Sequence, residues 1–219
     1  DSGTSETCPN VITYSAVISA CEKCGNLEKA LEILQKMKDS GIRPNVRTYN
    51  ATISACEKCT NNKKALELLQ EIKDSGIIPD VITYNAVIST CEKCSKLEIA
   101  LELLQGMKDS GIDPNVITYN ATISACEKCA KLEIALELLQ EMKEYRIWPN
   151  VITYSATIST CEKCKDYKKA LVLLQEMKDF GIDPNVITYS AVISACEKCK
   201  DYKKALELLQ EMKDSGIDL

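Results

Sequence analysis

Hydrophobic residues recur with helical spacing in a 35-residue unit that repeats six times along the chain. Position 1 of each unit is a valine: Val11, Val46, Val81, Val116, Val151 and Val186. Apolar residues follow mainly at positions 4, 7, 8, 11 and 14, and in the second half of the unit at 20, 21, 24 and 27. Spacings of three and four residues place side chains on one face of an α-helix, whereas a strand would require alternation. The pattern therefore predicts two helices per unit.

Residues at the ends of these segments predict where each helix begins and ends. Position 35 is Asn or Asp, whose side chain can cap the next helix: Asn45, Asp80, Asn115, Asn150 and Asn185. A proline precedes it and blocks continuation of the previous helix. The second helix ends before a glycine suited to a left-handed turn: Gly41, Gly76, Gly111, Gly181 and Gly216. Arg146 replaces that glycine in the fourth unit, which predicts a strained or remodelled turn.

The linkers between the two helices of a unit are only a few residues long, so each pair is predicted to form an antiparallel hairpin. Six hairpins are predicted to stack into an all-α α-solenoid, each burying faces that it could not bury alone. The predicted domain covers residues 11–219, in units 11–45, 46–80, 81–115, 116–150, 151–185 and 186–219. Residues 1–10 are predicted to be a leader or the remnant of a preceding repeat. No polar cap follows the last helix, which predicts a longer array, end-to-end self-association or a larger assembly.

Composition and charge exclude several classes of function. The chain has 219 residues, 45% of them hydrophobic and 27% charged, and no apolar run approaches the ~18 residues of a membrane span. The net charge of −5 argues against a generally basic nucleic-acid coat, although a local basic strip can exist in an acidic protein. There is no histidine, no glycine-rich phosphate loop and no carboxylate pair outside the repeat pattern. We therefore predict a protein that is not an enzyme and needs no cofactor.

Twelve of the thirteen cysteines form a Cys-Glu-Lys-Cys motif at positions 11 to 14 of each unit, and the other is Cys8. A repetitive chain of this length is unlike a secreted disulfide scaffold, so a reducing compartment is favoured. Both thiols of each motif are predicted to lie on the packed face of the first helix as small hydrophobic groups. Two alternatives are kept open: a zinc site built from successive pairs, and sensitivity to oxidation.

The opposite face of the first helix carries positions 2, 5, 9, 12 and 13, which form a mostly polar strip. Position 2 is isoleucine except in the second unit: Ile12, Arg47, Ile82, Ile117, Ile152 and Ile187. Position 5 is a hydroxyl or an amide: Ser15, Asn50, Asn85, Asn120, Ser155 and Ser190. Position 13 is always lysine: Lys23, Lys58, Lys93, Lys128, Lys163 and Lys198. A regular ladder of this kind suits single-stranded RNA, with an apolar residue against each base, a polar side chain at its edge and a lysine at a phosphate. The glutamate before each lysine weakens the positive potential, so nonspecific affinity is predicted to be modest.

Several motifs of the unit are similar to those of the pentatricopeptide repeat family. They are "VITYNA" at residues 81–86, "ALELLQEMKDSGI" at residues 205–217 and the closing Pro-Asn or Pro-Asp, and the similarity covers nearly all of residues 11–219. The resemblance implies a right-handed superhelix that binds single-stranded RNA, one base per repeat, and a location in mitochondria or plastids. It also implies that positions 5 and 35 of one repeat select the base and that position 2 holds the base between neighbours.

Transferred to this sequence, the resemblance gives a predicted RNA target. The base-selecting pairs are Ser15/Asn45, Asn50/Asp80, Asn85/Asn115, Asn120/Asn150 and Ser155/Asn185. They imply the order A, U, C or U, C or U, and A, read 5′ to 3′. Ser190 of the sixth repeat implies a purine, although its position 35 lies beyond Leu219. Arg47 departs from the pattern at position 2. The alternative function is a protein–protein scaffold in a larger assembly, because solenoids also bind proteins along their faces.

Overall fold

A computed structural model describes residues 9–217 and contains, within that range, twelve α-helices of thirteen residues each. The first helices of the repeats are α1 (Val11–Lys23), α3 (Val46–Lys58), α5 (Val81–Lys93), α7 (Val116–Lys128), α9 (Val151–Lys163) and α11 (Val186–Lys198). The second helices are α2 (Leu27–Asp39), α4 (Asn62–Asp74), α6 (Leu97–Asp109), α8 (Leu132–Glu144), α10 (Tyr167–Asp179) and α12 (Tyr202–Asp214). The predicted all-α fold with two helices per repeat is confirmed. Cys8 lies outside the described residues.

The predicted capping residues begin the first helices. In α3, the side-chain oxygen of Asn45 accepts the backbone N–H of Thr48 at 3.0 Å, and the Thr48 hydroxyl accepts the backbone N–H of Asn45 at 3.4 Å. This reciprocal pair satisfies donors that the first turn of a helix leaves unpaired. Asp80, Asn115, Asn150 and Asn185 cap their helices in the same way.

Left-handed turns end both helices of a repeat. The predicted glycines have φ between 67° and 70°, and Arg146 keeps the same turn with φ of 57°. A side chain in this region costs roughly 1–2 kcal/mol, so the turn of the fourth repeat is strained but not remodelled. A second left-handed position follows the first helix, and it is a glycine in the first repeat and another residue in the other five: Gly25, Thr60, Ser95, Ala130, Lys165 and Lys200.

The described residues group into two compact units, one of residues 9–94 with 105–113 and the other of residues 95–104 with 114–217. In the first unit, α1 packs on α3 and α3 on α5, while α2 and α4 each contact their own first helix and the next one. The second unit repeats this arrangement, with α7, α9 and α11 packed in succession and α8 and α10 bridging neighbouring first helices. Each unit is thus a stack of helical hairpins, as expected of an α-solenoid.

Positions 4, 8 and 11 of the first helices form much of the core. In α9, Tyr154, Ile158 and Cys161 are fully buried, and Leu174 and Met177 of α10 belong to the same cluster. Buried thiols at position 11 have a raised pKa, to about 12 for Cys161, first because burial disfavours the thiolate. Within residues 9–217, no helix combines the length and apolar character that a membrane crossing requires.

The prediction that both cysteines of the motif face inward is wrong for the second one. Position 14 is exposed in Cys24, Cys59 and Cys164 and half-exposed in the other three repeats. The first helix ends at position 13, so position 14 caps its C terminus beside the turn. There the thiol of Cys59 donates to the carbonyl oxygen of Gly25 in the preceding repeat at 3.1 Å. Within the described residues, no group of three or more potential ligands is arranged to hold a metal.

A set of polar contacts recurs where the second helices meet neighbouring repeats, and we call this set the second-helix network. It joins the tyrosine at position 4, the glutamate at position 26 of the same repeat and the lysine at position 28 of the preceding repeat. Tyr154 donates its hydroxyl to Glu176 Oε1 at 2.6 Å, and the ammonium of Lys143 contacts the same oxygen. Equivalent sets are Tyr49, Glu71 and Lys38, and Tyr189, Glu211 and Lys178.

The third repeat has a glycine, Gly106, at position 26 and cannot form this network. There the ammonium of Lys73 lies 5.5 Å from the ring centre of Tyr84, a cation–π contact. A glycine in a helix interior also costs roughly 0.5–1 kcal/mol relative to alanine. The second-helix network is therefore a feature of most repeats but not of all.

Candidate nucleic-acid interface

The isoleucines at position 2 are exposed, although isoleucine is normally buried. Their exposed fractions are 74% for Ile12, 58% for Ile82, 59% for Ile117, 56% for Ile152 and 63% for Ile187. Arg47 occupies the same position and is also exposed. Single exposed apolar residues need no explanation, but apolar side chains that are exposed at the same position of successive repeats within each unit do.

Positions 5 and 35 of the same repeat meet beside this row. In the second repeat, the amide nitrogen of Asn50 donates to Asp80 Oδ1 at 3.0 Å and lies 3.3 Å from Oδ2. In the fourth repeat, the amide nitrogen of Asn120 donates to Asn150 Oδ1 at 3.3 Å. Two residues 30 positions apart in sequence thus form one polar pair.

Serine replaces asparagine at position 5 in the first and fifth repeats. A cleft of about 280 Å³ is lined by Ser15 and Asn45 and flanked by Ile12 and Arg47. A second cleft of about 260 Å³ is lined by Ser155 and Asn185 and flanked by Ile152 and Ile187. Both volumes fall just below the roughly 300–1,000 Å³ of drug-sized ligand sites, so each cleft suits a single small ring system.

The prediction of an exposed polar strip needs correction at position 5. Ser15, Asn50 and Ser155 are only 8%, 9% and 8% exposed, and Asn85 and Asn120 are half-buried, whereas Ser190 is exposed. Position 5 lies at the floor of the cleft because the first helix of the next repeat packs against it. Asn115, at position 35 of the third repeat, is also half-buried.

Threonine at position 3 is a residue of the site that the sequence analysis missed. Thr48, Thr83, Thr118, Thr153 and Thr188 are fully buried. The Thr83 hydroxyl lies 2.9 Å from Asp80 Oδ1 and 2.6 Å from Asn50 Oδ1. We call positions 5 and 35 of one repeat, with position 3 of the next, the cleft network. The available signal was the threonine three residues after every capping residue.

The charge of Asp80 is fixed by this network. Burial opposes ionisation of the carboxyl group, but hydrogen bonds from the Thr83 backbone, the Asn50 amide and the Thr83 hydroxyl lower its pKa overall. Asp80 is therefore a carboxylate at neutral pH and can only accept hydrogen bonds.

Lysines at position 13 form ion pairs with the glutamate of the preceding repeat, and we call these pairs the cleft rim because one of the glutamates, Glu127, lines the cleft of the fifth repeat. Lys58 contacts Glu22 at 2.6 Å, and Lys163 contacts Glu127 at 3.1 Å. Lys93 pairs with Glu57 at 2.9 Å and Lys198 with Glu162 at 2.7 Å in the same way. Exposed pairs of this type are weak and screened by salt, so a competing phosphate could take their place.

Family comparisons agree with the geometry. The profile described as "Pentatricopeptide repeat domain" matches residues 53–94, 67–129 and 102–164. The "PPR repeat family" profile matches residues 9–58 and 149–198, and the "PPR repeat" profile matches residues 187–217. These matches span the described residues, and the chain belongs to the pentatricopeptide repeat family. Proteins of this family are commonly organellar.

Solved structures show the same fold. The chain is 28% identical to the maize pentatricopeptide repeat protein PPR10, with a TM-score of 0.77 over 95% of this chain and 30% of that one. A complex of PPR10 with an 18-nucleotide psaJ RNA element gives 23% identity and a TM-score of 0.65 over 96% of this chain and 36% of that one. The PPR domain of Arabidopsis thaliana protein-only RNase P 1, in complex with tRNA, is 16% identical in sequence, with a TM-score of 0.75 over 85% of this chain and 98% of that one. The chain therefore spans about a third of the length of PPR10. No curated protein matches the sequence.

Proposed function

We propose that this chain binds single-stranded RNA, reads one base per repeat and catalyses no reaction. The observation that carries the proposal is the direct contact between positions 5 and 35, seen in Asn50–Asp80 and Asn120–Asn150, beside a row of exposed isoleucines. The side chains at position 2 that flank the clefts, isoleucine except for Arg47, offer surfaces for a base, and the polar pair offers partners for its edge. RNA-bound PPR10 and protein-only RNase P 1 support an RNA ligand.

The second repeat is suited to uracil. The Asp80 carboxylate can only accept hydrogen bonds, so the Asn50 amide directs its N–H groups towards Asp80 and the cleft. The carboxylate of Asp80 supplies an acceptor. One donor beside one acceptor matches a carbonyl oxygen and the neighbouring N3–H of uracil.

The fourth repeat offers donors and is suited to cytosine ahead of uracil. The side-chain oxygen of Asn150 accepts the backbone N–H groups of Ile152 and Thr153 at 3.0 and 3.1 Å. Helix capping thus uses the oxygen and leaves the NH₂ group of Asn150 for a ligand. Together with the second N–H of Asn120, it matches the adjacent N3 and O2 acceptors of cytosine.

The fifth repeat combines a small hydroxyl with an amide donor. The Asn185 oxygen accepts the backbone N–H of Thr188 at 3.0 Å, which leaves its NH₂ group for the N1 acceptor of adenine. Ser155 is smaller than asparagine and leaves room for a purine. The first repeat has the same pair, so the proposed target is 5′-A-U-(C/U)-(C/U)-A-(purine)-3′. The rim lysines are proposed to meet the phosphates, and the proposed location is a mitochondrion or plastid.

A binding titration tests this function. RNA of sequence 5′-AUCCAA-3′ is compared with 5′-CAACUA-3′, which has the same composition, at two salt concentrations. We expect the first RNA to bind about tenfold or more tightly, because each well-matched base contact discriminates by ~1–3 kcal/mol. Both affinities should fall as salt rises while their ratio persists, since phosphate contacts carry the salt dependence. Equal affinity for the two RNAs would exclude base reading.

One observation favours protein scaffolding as a second candidate function. Tyr145, Trp148 and Phe180 are 65%, 69% and 51% exposed in the loops after α8 and α10. Trp148 and Phe180 occupy the positions at which Arg43 and Ser75, three repeats earlier, are joined by a hydrogen bond of 2.6 Å. Exposed Trp and Tyr are typical anchors of protein interfaces. If the two RNAs bind equally weakly, these exposed aromatic residues are the first to test as a protein-binding surface.

A further inference from the structure

We infer that threonine at position 3 is a specificity-determining positioning residue, which orients the base-selecting side chain of the preceding repeat without touching the base. The inference rests on the proposed function. It is argued for Thr153, which serves the Asn120/Asn150 pair of the fourth repeat. Thr48, Thr83 and Thr188 also contact position 5 of the repeat before them.

The hydroxyl group of Thr153 has a defined use for its single proton. Its oxygen accepts the backbone N–H of Asn150 at 3.0 Å. Two acceptors compete for the proton, Asn120 Oδ1 at 2.6 Å and Asn150 Oδ1 at 3.2 Å. The shorter contact wins, and Asn150 Oδ1 already receives two backbone N–H groups from the helix start. The proton therefore goes to Asn120.

This proton fixes which end of the Asn120 amide faces the cleft. The two ends of an amide have nearly the same shape but opposite hydrogen-bonding character, so only the network distinguishes them. With the oxygen held by Thr153, the NH₂ group contacts Asn150 at 3.3 Å and directs its second N–H into the cleft. Without the threonine proton, the inverted amide would present an acceptor to the base, which suits uracil N3–H better than cytosine N3.

Other repeats contain the same contact with different side chains. Thr83 lies 2.6 Å from Asn50 Oδ1. Thr48 lies 2.9 Å from the Ser15 hydroxyl, and Thr188 lies 2.8 Å from the Ser155 hydroxyl. In each case, the buried threonine touches position 5 of the preceding repeat. A base code expressed only in positions 5 and 35 therefore depends on a third, uniform residue.

The chain provides a matched control in the same helix. Thr157 is also a fully buried threonine of α9, but its hydroxyl donates to the backbone carbonyl oxygen of Thr153 at 2.8 Å and has no role in the cleft network. Valine occupies the equivalent position 7 in Val17, Val87 and Val192. Thr157→Val thus removes a buried hydroxyl at a site where the fold accepts valine.

The experiment compares the wild-type chain with Thr153→Val, Thr153→Ser and Thr157→Val. Each protein is titrated with 5′-AUCCAA-3′ and 5′-AUCUAA-3′, which differ only in the base facing the fourth repeat. The readout is the ratio of the two dissociation constants, because a merely structural loss would weaken both RNAs alike. We expect Thr153→Val to reduce the cytosine preference about two- to tenfold, the range of one hydrogen bond. Thr153→Ser and Thr157→Val should keep the wild-type ratio.

The outcomes separate this inference from the proposed function. A wild-type chain without cytosine preference would contradict the assigned orientation of the Asn120 amide and overturn the inference, whereas base reading itself is tested separately by the comparison of 5′-AUCCAA-3′ with 5′-CAACUA-3′. A wild-type preference that survives Thr153→Val would overturn the role of the threonine and leave base reading intact. Circular dichroism melting checks that each variant is folded. If Thr153→Val does not fold, Thr188→Val tests the same claim in the fifth repeat through the ratio of A to G binding, and an unchanged ratio there would overturn it.

Discussion

Thr153 and Tyr154 are adjacent in α9 but belong to two different polar networks. One network uses its polar groups within the protein, and the other leaves a hydrogen-bond donor for a ligand. In the second-helix network, the Tyr154 hydroxyl and the Lys143 ammonium both contact Glu176, so the proton of the tyrosine and the charge of the carboxylate are used within the protein. In the cleft network, helix capping uses the oxygen of Asn150 and leaves its NH₂ group for a ligand. One repeat junction thus contains both a network that stabilises the packing of the helices and a network that keeps a donor for the proposed RNA ligand.

Charge distinguishes the two networks further. The second-helix network contains ionised groups that are partly shielded from water, so its contribution depends on pH and on each partner being present. The cleft network is neutral at most junctions, and Asp80 is its charged member. Changes to the first network should therefore affect folding, and changes to the second should affect mainly which RNA is bound.

The largest expected effect comes from acid, which alters several second-helix networks at once. Burial opposes ionisation of Glu71, Glu176 and Glu211, but hydrogen bonds from the lysine and tyrosine lower each pKa overall. A folded-state pKa below the unfolded value of ~4.3 stabilises the folded state above that pH, and this stabilisation is lost as the pH falls through the lowered pKa. We expect urea unfolding between pH 6 and 3 to show stability falling steeply below about pH 4.5.

The variant Glu176→Gln should make that dependence on pH shallower, because one carboxyl group no longer titrates. Glu133→Gln is the control, since Glu133 is exposed on α8 outside the network. If the free energy of unfolding depended on pH identically in the two variants, the assigned role of Glu176 would be contradicted.

Removal of one member of the second-helix network should have the next largest effect. Glu176→Ala leaves the hydroxyl of Tyr154 and the ammonium of Lys143 without their shared acceptor. We expect the free energy of unfolding to fall by about 1–3 kcal/mol, reduced by partial exposure to solvent, with no change in base preference. Gln175→Ala, an exposed neighbour in α10, should have an effect below about 0.5 kcal/mol. A changed cytosine-to-uracil ratio in Glu176→Ala would break the separation of the networks.

The two cysteines of one motif, Cys161 and Cys164, test the difference between the buried and the exposed side of a repeat. Cys161→Ser places a hydroxyl in an apolar site and should destabilise the fold by about 1–2 kcal/mol, as measured by urea unfolding. Cys164→Ser should change stability by less than about 0.5 kcal/mol, because that thiol is exposed. A disulfide reagent should also react faster with position 14 than with position 11, whose thiolate is disfavoured by burial. Equal losses from both serine variants would contradict the assigned placement.

The smallest expected effect is on the cleft rim. Glu127→Gln removes the ion-pair partner of Lys163 and should raise affinity for any RNA about two- to fivefold at low salt, because the lysine becomes available to phosphate. Stability should change by less than about 0.5 kcal/mol. Glu133→Gln makes the same change in net charge away from the cleft and should leave affinity nearly unchanged. Equal gains from the two variants would indicate a general charge effect instead of a rim contact.

The helices and their caps could be predicted from sequence because they depend on spacings of three to four residues and on local capping chemistry. Position 35 was predicted as a cap, and the family resemblance paired it with position 5. Threonine at position 3 was missed because the helical projection puts it between the two faces, and only the next repeat shows what it contacts. Cys164 was misplaced because the same projection was extended to the end of the helix, where the packed face stops. Contacts across a junction are more than 20 residues apart and leave no local signal.

The most direct test of base reading is an exchange of the code in one repeat. Ser155→Asn combined with Asn185→Asp reproduces in the fifth repeat the Asn50/Asp80 pair of the second. Asp is as good a capping residue as Asn, so α11 should begin unchanged and stability should be preserved. Titration with 5′-AUCCAA-3′ and 5′-AUCCUA-3′ should show a preference for A in the wild-type chain and a reversed preference for U, by about tenfold, in the double variant. An unchanged preference for A in the folded double variant would contradict the account.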